Sequence, residues 1–246
     1  MKIGITERGD AGLDLSWQNK LTSVDGAILI TKNINDAFID AVMNSTKPII
    51  IHATCTGWGG TPMEPNVPAP QTQLDGIQKL IDKGFPADRI VLRVDPIIPC
   101  VNEGLDRAAS VIQNAFDRGL LPGNMRVRIS VLDTYPHVRA RFQAIGIPAE
   151  NTFQASQSEF DRIIEMLSKF GIEIESCAEP KLGRAPFIRL TGCISNRDLK
   201  LMRLPQINTS VNPQNRNGCL CLSCKTELLT HRGRCPHQCA YCYWKD

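Results

Sequence analysis

Short apolar runs alternate along the chain with longer stretches in which apolar residues recur at helical spacing. Such alternation is typical of a parallel sheet whose strands are joined by crossover helices. The apolar runs predict six strands, at about residues 2–6, 26–31, 48–53, 89–94, 126–131 and 172–176. Six β/α units favour an open, partial (β/α)6 barrel of the TIM type over a closed barrel of eight strands.

Three of the stretches between strands carry helix signals. Two have apolar stripes, formed by Leu74, Ile77, Leu80 and Ile81 and by Leu105, Ala108, Ile112 and Phe116. The third begins with a capping box, Ser156 to Glu159, and continues with apolar residues at helical spacing. The segment Gly57–Pro70 is rich in glycine and proline, which predicts a long loop after the third strand.

The chain changes character near residue 204. Residues 205–218 are rich in asparagine and proline and predict irregular structure. Six of the ten cysteines follow, within residues 219–242. We therefore divide the chain into a partial barrel, residues 1–203, and a cysteine-rich tail, residues 204–246.

Length and charge set the broad class of protein. A chain of 246 residues is long enough for one α/β domain with a full core. Its net charge of +3 is too small to indicate a nucleic acid or an acidic membrane as partner. The first residues are strand-like rather than a secretory leader, and no apolar run is long enough to span a bilayer. We expect a cytoplasmic protein with no membrane partner.

The most specific pattern is C-x3-C-x2-C at Cys235, Cys239 and Cys242. Three cysteines within eight residues are too close together for a useful set of disulfides, and a reducing compartment favours metal binding. They can ligate a cluster of four irons and four sulfides, which needs one ligand per iron. Three ligands leave one iron with an open position for chemistry.

Polar residues follow the predicted strands, at the edge where α/β folds place their reactive groups. They are Glu7, Arg8, Asp10, Lys32, Asn33, Arg93, Asp95, Asp133, Tyr135, Cys177 and Glu179. Charges rarely stay buried without partners, so this ring is either a structural ion-pair network or a polar ligand site. Because it faces a cysteine-rich loop, we interpret it as a ligand site, with Arg93, Asp95 and Glu179 as catalytic candidates. Arg93 and Asp95 are alternatively a local pair that orders the following turn.

The histidines are the remaining candidates for metal ligands. His52 lies within a predicted strand, and we expect it to be packed in the core. His231 and His237 flank the tail cysteines and are either ligands or solvated loop residues. We expect the second.

The C-x3-C-x2-C motif, with Tyr241 before its third cysteine, resembles the cluster loop of radical S-adenosylmethionine (SAM) enzymes. Nearly the whole chain is also similar to an uncharacterised bacterial family, a domain of unknown function whose C-terminal cysteines share this likeness. The matching stretches are Arg8-Gly-Asp10, Ile30-Thr-Lys-Asn33, Thr56-Gly57, Glu64-Pro-Asn-Val-Pro68, Arg93-Val-Asp95-Pro96, Ile129-Ser-Val-Leu-Asp133, Cys177-Ala-Glu179, Gly192-Cys193-Ile194, Asn215-Arg216, Cys219-x-Cys221 and Cys235 to Tyr243. The chain departs from the family in having Glu227-Leu-Leu where Asp-Ile-Gly is usual, and in having Cys224.

The resemblance implies a circularly permuted radical-SAM barrel whose cluster loop closes over the strand ends from the C-terminal side. Cys235, Cys239 and Cys242 would hold the catalytic 4Fe-4S cluster, and SAM would bind its open iron. Tyr241 would lie near the adenine, and Asp10, with Glu7 second, would meet the amino group of SAM. Arg8, Lys32 and Asn33 complete the predicted cofactor-binding set. The cluster would take its electron from a reductant such as flavodoxin or ferredoxin.

The remaining cysteines suggest a second metal site. Cys177, Cys193, Cys219 and Cys221 could ligate an auxiliary 4Fe-4S cluster with every position filled, and Cys224 could replace one of them. A structural zinc or free thiols are the alternatives. Cys55 and Cys100 are interpreted as ordinary buried cysteines.

Other functions remain open at this stage. Cys221-x2-Cys224 and Cys239-x2-Cys242, fourteen residues apart, approach a four-cysteine zinc pattern and so a zinc-ribbon-like binding protein without catalysis. Cys235 separates the hypotheses, because only the radical-SAM cluster requires it. A third hypothesis is a barrel whose metals only stabilise the fold.

The substrate does not follow from the sequence. Arg8, Lys32 and Arg93, with Lys181 and Arg184, would suit an anionic small molecule, a nucleotide or a phosphate ester. Lys181 and Arg184 alternatively belong to a solvated loop. By analogy with the spore photoproduct lyases, which are radical-SAM enzymes acting on DNA, the target could be a nucleic-acid base.

Overall fold

The computed structural model describes residues 1–148, 152–207, 218–230 and 235–244. In these ranges eight strands form one sheet, and every neighbouring pair is parallel. The strands are β1 Ile3–Ile5, β2 Gly26–Thr31, β3 Ile49–Thr54, β4 Ile90–Ile97, β5 Arg126–Val131, β6 Ile174–Cys177, β7 Ile188–Thr191 and β8 Lys225–Glu227. Their order across the sheet is β7-β6-β5-β4-β3-β2-β1-β8.

The six predicted strands correspond to β1 through β6, with ends that differ by at most three residues. The predicted number of strands is wrong, because β7 and β8 also belong to the sheet. β8 comes from the predicted cysteine-rich tail and pairs with β1 of the predicted barrel. The segment predicted to be irregular is residues 205–218. Residues 208–217 of it lie outside the described ranges.

Helices connect the strands. They are α1 Asp36–Met43, α2 Pro70–Asp82, α3 Gly104–Asp117, α4 Pro136–Ala144, α5 Gln157–Ser168 and α6 Asn196–Leu201, with short 3-10 helices at Leu15–Ser23, Ala87–Arg89 and Pro180–Arg184. The predicted capping box is confirmed at the start of α5, where Ser156 and Glu159 exchange side-chain and backbone hydrogen bonds. α2 begins with Pro70, a residue that suits the first helical turn because it lacks an N–H group. The described part of the chain contains no helix both long and apolar enough to cross a membrane.

Successive strand residues point to opposite sides of the sheet, and an apolar core covers each side. On β3, Ile49 and Ile51 join the core under the helices, whereas Ile50 joins a second core on the other face. That second core also contains Ile194 and Leu199, from the segment that follows β7. One apolar position of the predicted α3 stripe is not in the core, since Phe116 is 40% exposed.

A buried ion network lies on β5 and β6, on the face of the sheet that carries the second core. We call this the inner face, and the second core the inner core. Arg128 donates to Glu175 from Nε and Nη2, at 3.0 and 2.6 Å, and Arg126 donates to Asp198 of α6 at 2.7 Å. Because unpaired charges are costly in an interior, these contacts fix α6 against the sheet. His52 is fully buried beside Arg128, as expected of a strand residue. Burial, together with the charge of Arg128, holds the pKa of His52 well below its ordinary value.

The last strand carries the chain to the carboxyl edge of the sheet. β8 lies in register with β1, and the N–H of Leu228 then donates to the carbonyl of Ile5 at 2.8 Å. Leu228 and Leu229 are fully buried. A Cβ atom on Gly4 would lie 2.6 Å from a methyl carbon of Leu228, so a larger residue would displace the Leu228 side chain. The residues after β8 are thereby placed over the strand ends of β1 to β3.

Candidate metal centre at the carboxyl edge of the sheet

Residues 235–244, hereafter the cysteine loop, pack on the long loop that follows β3. The N–H of Ala240 donates to the carbonyl of Met63 at 2.9 Å, and Asn66 donates to the carbonyl of Pro236 at 2.7 Å. Cys239 and Tyr241 are buried in an apolar cluster with Trp58 and Met63. The C-x3-C-x2-C motif therefore packs on the predicted loop at Gly57–Pro70.

The three loop cysteines, Cys235, Cys239 and Cys242, are brought together by two consecutive turns. The N–H of Gln238 donates to the carbonyl of Cys235 at 3.0 Å, and the N–H of Cys242 to that of Cys239 at 3.1 Å. Burial raises the pKa of Cys239 to about 12, with the positive charge of Lys32 opposing it. Negative charges on Cys242 and Cys235 would raise the pKa of Cys239 further.

Asp10 fastens the middle of the cysteine loop to the sheet. Its carboxylate accepts hydrogen bonds from the Thr31 hydroxyl and the Lys32 N–H, both at 2.6 Å, and from the Gly12 N–H at 2.8 Å. It also contacts Nε2 of His237 at 2.9 Å. Asp10 is therefore engaged by protein donors from β2, its own turn and the cysteine loop. The predicted contact between Asp10 and the amino group of SAM stays a prediction.

A second polar contact fastens the loop at Tyr241. The Lys32 ammonium donates to Glu64 and to the Tyr241 hydroxyl, each at 2.7 Å, and that hydroxyl donates to Glu64. Burial lowers the pKa of Lys32, but the charges of Glu64 and Cys239 outweigh this effect and leave it raised. Burial and the adjacent Glu64 hold the pKa of Tyr241 well above its ordinary value. Lys32 is thus charged and Tyr241 neutral at neutral pH.

Cys235, Cys239 and Cys242 are the residues of the loop that could hold a metal centre. Across the described ranges, no three His, Cys, Asp or Glu side chains converge closely enough to hold one metal ion. Thiolates are the ligands that iron–sulfur clusters take, one for each iron, so the donor set of the loop suits three irons of such a cluster.

The catalytic candidates lie further along the same edge. Arg93 and Asp95 form an ion pair, as one prediction had it, and Ser130 donates to Asp95. Arg93 is beside Thr54 in the sheet register. Within the described residues, Nε of Arg93 and the hydroxyl of Thr54 are buried polar atoms without a hydrogen-bond partner. Two unsatisfied donors at a strand edge are consistent with a polar ligand site.

Glu179 marks a small cavity at the ends of β5 and β6. Its carboxylate accepts a hydrogen bond from the Val131 N–H at 3.1 Å. The cavity has a volume of about 210 Å³, and Asp133 and Lys181 also line it. This is less than the roughly 300–1,000 Å³ of most small-molecule sites, so it can hold only part of a ligand. A larger cavity, of about 540 Å³, lies at the opposite edge, where Arg126, Glu175 and Arg197 line it.

The other predicted site residues are placed around the cysteine loop. Glu7 pairs with Lys225 of β8 at 2.8 Å. The Arg8 guanidinium lies 6.0 Å from the centre of the Trp244 ring. The N–H of Asn33 donates to the Thr31 hydroxyl at 2.8 Å. These residues lie on the β1 and β2 side of the edge, whereas Arg93, Asp95 and Glu179 come from the β4 to β6 side.

Four more cysteines meet near the end of β6, and we refer to them as the assembled cysteines: Cys177, Cys193, Cys219 and Cys221. The sulfurs of Cys177 and Cys193 are 3.5 Å apart, and the N–H of Cys193 donates to the sulfur of Cys221 at 3.1 Å. A thiol hydrogen bond from Cys221 lowers the pKa of Cys219 to about 7. The structure thus brings together the four cysteines that were predicted as a second set.

Residues 15–244 match the family described as Domain of unknown function (DUF1848). The chain belongs to this family. The match covers β2 to β8, the cysteine loop and the assembled cysteines, and it confirms the expected membership of a family of unknown function. No curated protein matches the chain.

In this DUF1848 chain the structure differs from the sequence-based expectation at two residues of the site. His237 is 2% exposed and contacts Asp10, so the expectation of a solvated loop residue is wrong. Glu64 was not singled out for the site, although it is fully buried between Lys32 and Tyr241. Its signal was an acidic residue inside a loop that is otherwise apolar and rich in glycine and proline. His231, Asn215 and Arg216 lie outside the described ranges.

Proposed function

We propose that this protein is a radical SAM enzyme in which Cys235, Cys239 and Cys242 hold a 4Fe-4S cluster. The observation that carries the proposal is the position of β8. This strand lies at the edge of the sheet beside β1, and the cysteine loop, residues 235–244, is the next described segment of the site in the chain. Read across the sheet, β8 precedes β1 to β7, which is the order of a barrel with its first strand moved to the end of the chain. The cluster loop of radical SAM enzymes follows their first barrel strand.

The chemistry divides between cofactor and chain. Cys235, Cys239 and Cys242 would hold the cluster, which would supply the electron for reductive cleavage of SAM to methionine and a 5′-deoxyadenosyl radical able to take hydrogen from an unreactive carbon. Trp58, Met63 and Tyr241 enclose the buried side of the loop and exclude water there. The positive charge of Lys32 favours the thiolate of Cys239. Asp10 and His237 fix the loop on the sheet.

A polar or anionic substrate is supported by the residues between the cysteine loop and the assembled cysteines. Asp95 and Ser130 orient Arg93, whose Nε is a buried donor that no group in the described ranges accepts. Glu179 lies beside the small cavity on the same edge. We assign substrate binding to Arg93 and Glu179, with Asp95 as the positioning residue. Arg184 pairs with Asp161 and its side chain is 45% exposed, which favours the solvated interpretation for this residue.

The distribution of the cysteines favours the enzyme over the zinc ribbon. The zinc pattern requires Cys221, Cys224, Cys239 and Cys242 to surround one ion. Cys221 packs in the inner core with Cys193, whereas Cys239 packs with Trp58 and Met63 in a different cluster. Cys224 immediately precedes β8. Burial raises the pKa of its thiol, and the positive charge of the Met1 α-amino group opposes that rise.

Two single variants test the proposal sharply, because the catalytic cluster requires Cys235 but not Cys224, whereas the zinc ribbon requires Cys224 but not Cys235. The protein is purified and reconstituted without oxygen, and electron paramagnetic resonance of the reduced protein is recorded with and without SAM. We expect a signal that SAM shifts, together with deoxyadenosine, in the wild type and in Cys224→Ala. Both are lost in Cys235→Ala. Zinc that is retained in Cys235→Ala, lost in Cys224→Ala and accompanied by no SAM response would establish the zinc ribbon instead.

A further inference from the structure

The assembled cysteines come from three distant parts of the chain. Cys177 ends β6, Cys193 lies just after β7, and Cys219 and Cys221 precede β8. We propose that these four residues form a second, fully ligated thiolate metal site, separate from the cysteine loop. The proposal goes beyond the enzyme assignment and does not depend on it, because the site would stand even if the cysteine loop bound no SAM.

The backbone is built to bring these segments together. A Cβ atom on Gly192 would lie 2.5 Å from the backbone nitrogen of Cys221, so only glycine permits the approach. The N–H of Leu222 donates to the carbonyl of Ile194 at 3.1 Å and fixes the two segments side by side. The Arg128 guanidinium donates to the carbonyl of Cys193 at 3.2 Å. The meeting of the thiols thus follows from a constrained backbone.

The thiols form a chain of contacts from Cys177 through Cys193 and Cys221 to Cys219. The 3.5 Å between the sulfurs of Cys177 and Cys193 is close to the roughly 3.8 Å spacing of thiolates on a tetrahedral ion. Since no three described side chains converge on one point, the two end thiols must turn inward when a metal binds. Four ligands fill the coordination of zinc or of a 4Fe-4S cluster, which leaves no open position for SAM.

Positive groups around the four cysteines suit the negative charge of a metal held by four thiolates. The Arg128 guanidinium lies beside Cys193, because it donates to the carbonyl of that residue at 3.2 Å. On the neighbouring β4, Nε of Arg93 is a buried donor without a partner in the described part of the chain. Donors of this kind around a metal site orient the ligands and tune the metal. The site would therefore lie between the inner core and the proposed substrate region.

The test uses the whole chain, prepared without oxygen in three forms. They are the Cys235→Ala, Cys239→Ala, Cys242→Ala triple variant, the Cys177→Ser, Cys193→Ser, Cys219→Ser, Cys221→Ser quadruple variant, and Cys224→Ala. Iron, sulfide and zinc per chain are measured in each. We expect the triple variant to retain one metal site, the quadruple variant to lose that site, and Cys224→Ala to keep it. Iron with equal sulfide identifies a cluster, and one zinc per chain identifies a single ion; either supports the site.

The failures of the two proposals are distinguishable. Metal retained in the triple variant of a protein that shows no SAM response would overturn the enzyme assignment alone. A folded triple variant that holds neither iron nor zinc, with its four cysteines reacting as free thiols or joined in disulfides, would overturn the second site. Should the quadruple variant fail to fold, Cys219→Ser replaces it, because Cys219 is only half-buried. Unchanged metal content in Cys219→Ser on the triple-variant background would likewise overturn the site.

Discussion

The two groups of cysteines reach the carboxyl edge of the sheet by different routes. The loop cysteines lie within eight residues, and two turns alone bring them together. The assembled cysteines come from three segments and meet only because β6, β7 and the residues before β8 are packed side by side. The first group is therefore a property of a short peptide, whereas the second is a property of the folded chain.

The supports of the two groups differ accordingly. The cysteine loop is fastened by polar side chains that reach it from the edge, chiefly Asp10, Lys32 and Glu64. The assembled cysteines rest on Arg128 and the ion network of the inner face. A change in either support should consequently affect one cysteine group more than the other.

The largest effect is expected from Arg128→Met. Removing this guanidinium leaves the buried Glu175 without its closest cation, and breaking a buried ion pair costs about 3–5 kcal/mol. We expect the free energy of unfolding, measured with urea, to fall by about that amount. The metal content of the assembled cysteines should fall with it. Arg197→Met is the matched control, because Arg197 also pairs with Glu175 but is 37% exposed, and about 1 kcal/mol is expected there. Equal losses in the two variants would contradict the importance of burial.

The next effect concerns the cysteine loop. Lys32→Met leaves the fully buried Glu64 carboxylate without its cation, and we expect a loss of roughly 3 kcal/mol in unfolding free energy. Iron bound by the loop cysteines should decrease while metal at the assembled cysteines is kept. Adding Glu64→Leu to this variant removes the stranded charge and should restore much of the stability. A double variant no more stable than Lys32→Met would show that the carboxylate is not the source of the loss.

A smaller effect is expected from Asp10→Asn, which keeps the shape of the side chain. One carboxylate oxygen becomes an NH2 group that cannot accept hydrogen bonds. The change therefore removes either the bond from the Thr31 hydroxyl, which uses one oxygen, or the contacts with the Lys32 N–H and His237, which use the other. We expect a loss of about 1–3 kcal/mol and weaker retention of iron by the loop cysteines. Amide exchange of residues 235–244 should accelerate relative to that of β5. Unchanged exchange in the cysteine loop would mean that Asp10 does not hold it.

The pH dependence of stability tests the ion network that supports the assembled cysteines. The largest influence on the pKa of Glu175 and of Asp198 is burial, which raises it, but Arg128 and Arg126 outweigh burial and leave both values lowered. Because the folded pKa is the lower one, this stabilisation is complete above the ordinary values of 4.5 and 3.8 and is lost as the pH falls below them. Each unit of difference is worth about 1.4 kcal/mol. Urea unfolding between pH 6 and pH 3 should show a loss that Arg128→Met reduces, and an identical slope in that variant would contradict the assignment.

The strands that the sequence pattern predicts have apolar residues in a run or at every second position. β2 and β5 were predicted to the residue, since Gly26–Thr31 is an apolar run between two charged residues and Arg126–Val131 alternates polar and apolar residues. β8 could not be predicted, because Lys-Thr-Glu has no apolar residue and becomes a strand only by pairing with β1. β7 is four residues long, and two of them are exposed. Strands this short are defined by their neighbours rather than by their own residues.

The residues of the candidate site likewise divide into those that the sequence predicts and those that only the folded chain reveals. The cysteine spacing and the strand-end positions of Asp10, Lys32 and Arg93 could be read from the sequence. The partnership of His237 with Asp10 could not, because 227 residues separate them. Glu64 stands out locally as an acidic residue in an otherwise apolar loop, but its contacts with Lys32 and Tyr241 appear only in the folded chain. Spacing reveals ligands, whereas the groups that position them become visible only in the folded chain.

The pairing of β1 with β8 also has a consequence for the newly made protein. Glu7 and Glu227, whose contact accompanies that pairing, are 220 residues apart. At about 5–20 residues per second, a ribosome takes roughly 10 to 45 seconds to travel that distance. Throughout that time β1 has an unpaired edge of the kind that invites aggregation. A nascent chain stalled before residue 225 should therefore depend on chaperones in a way that the released protein does not.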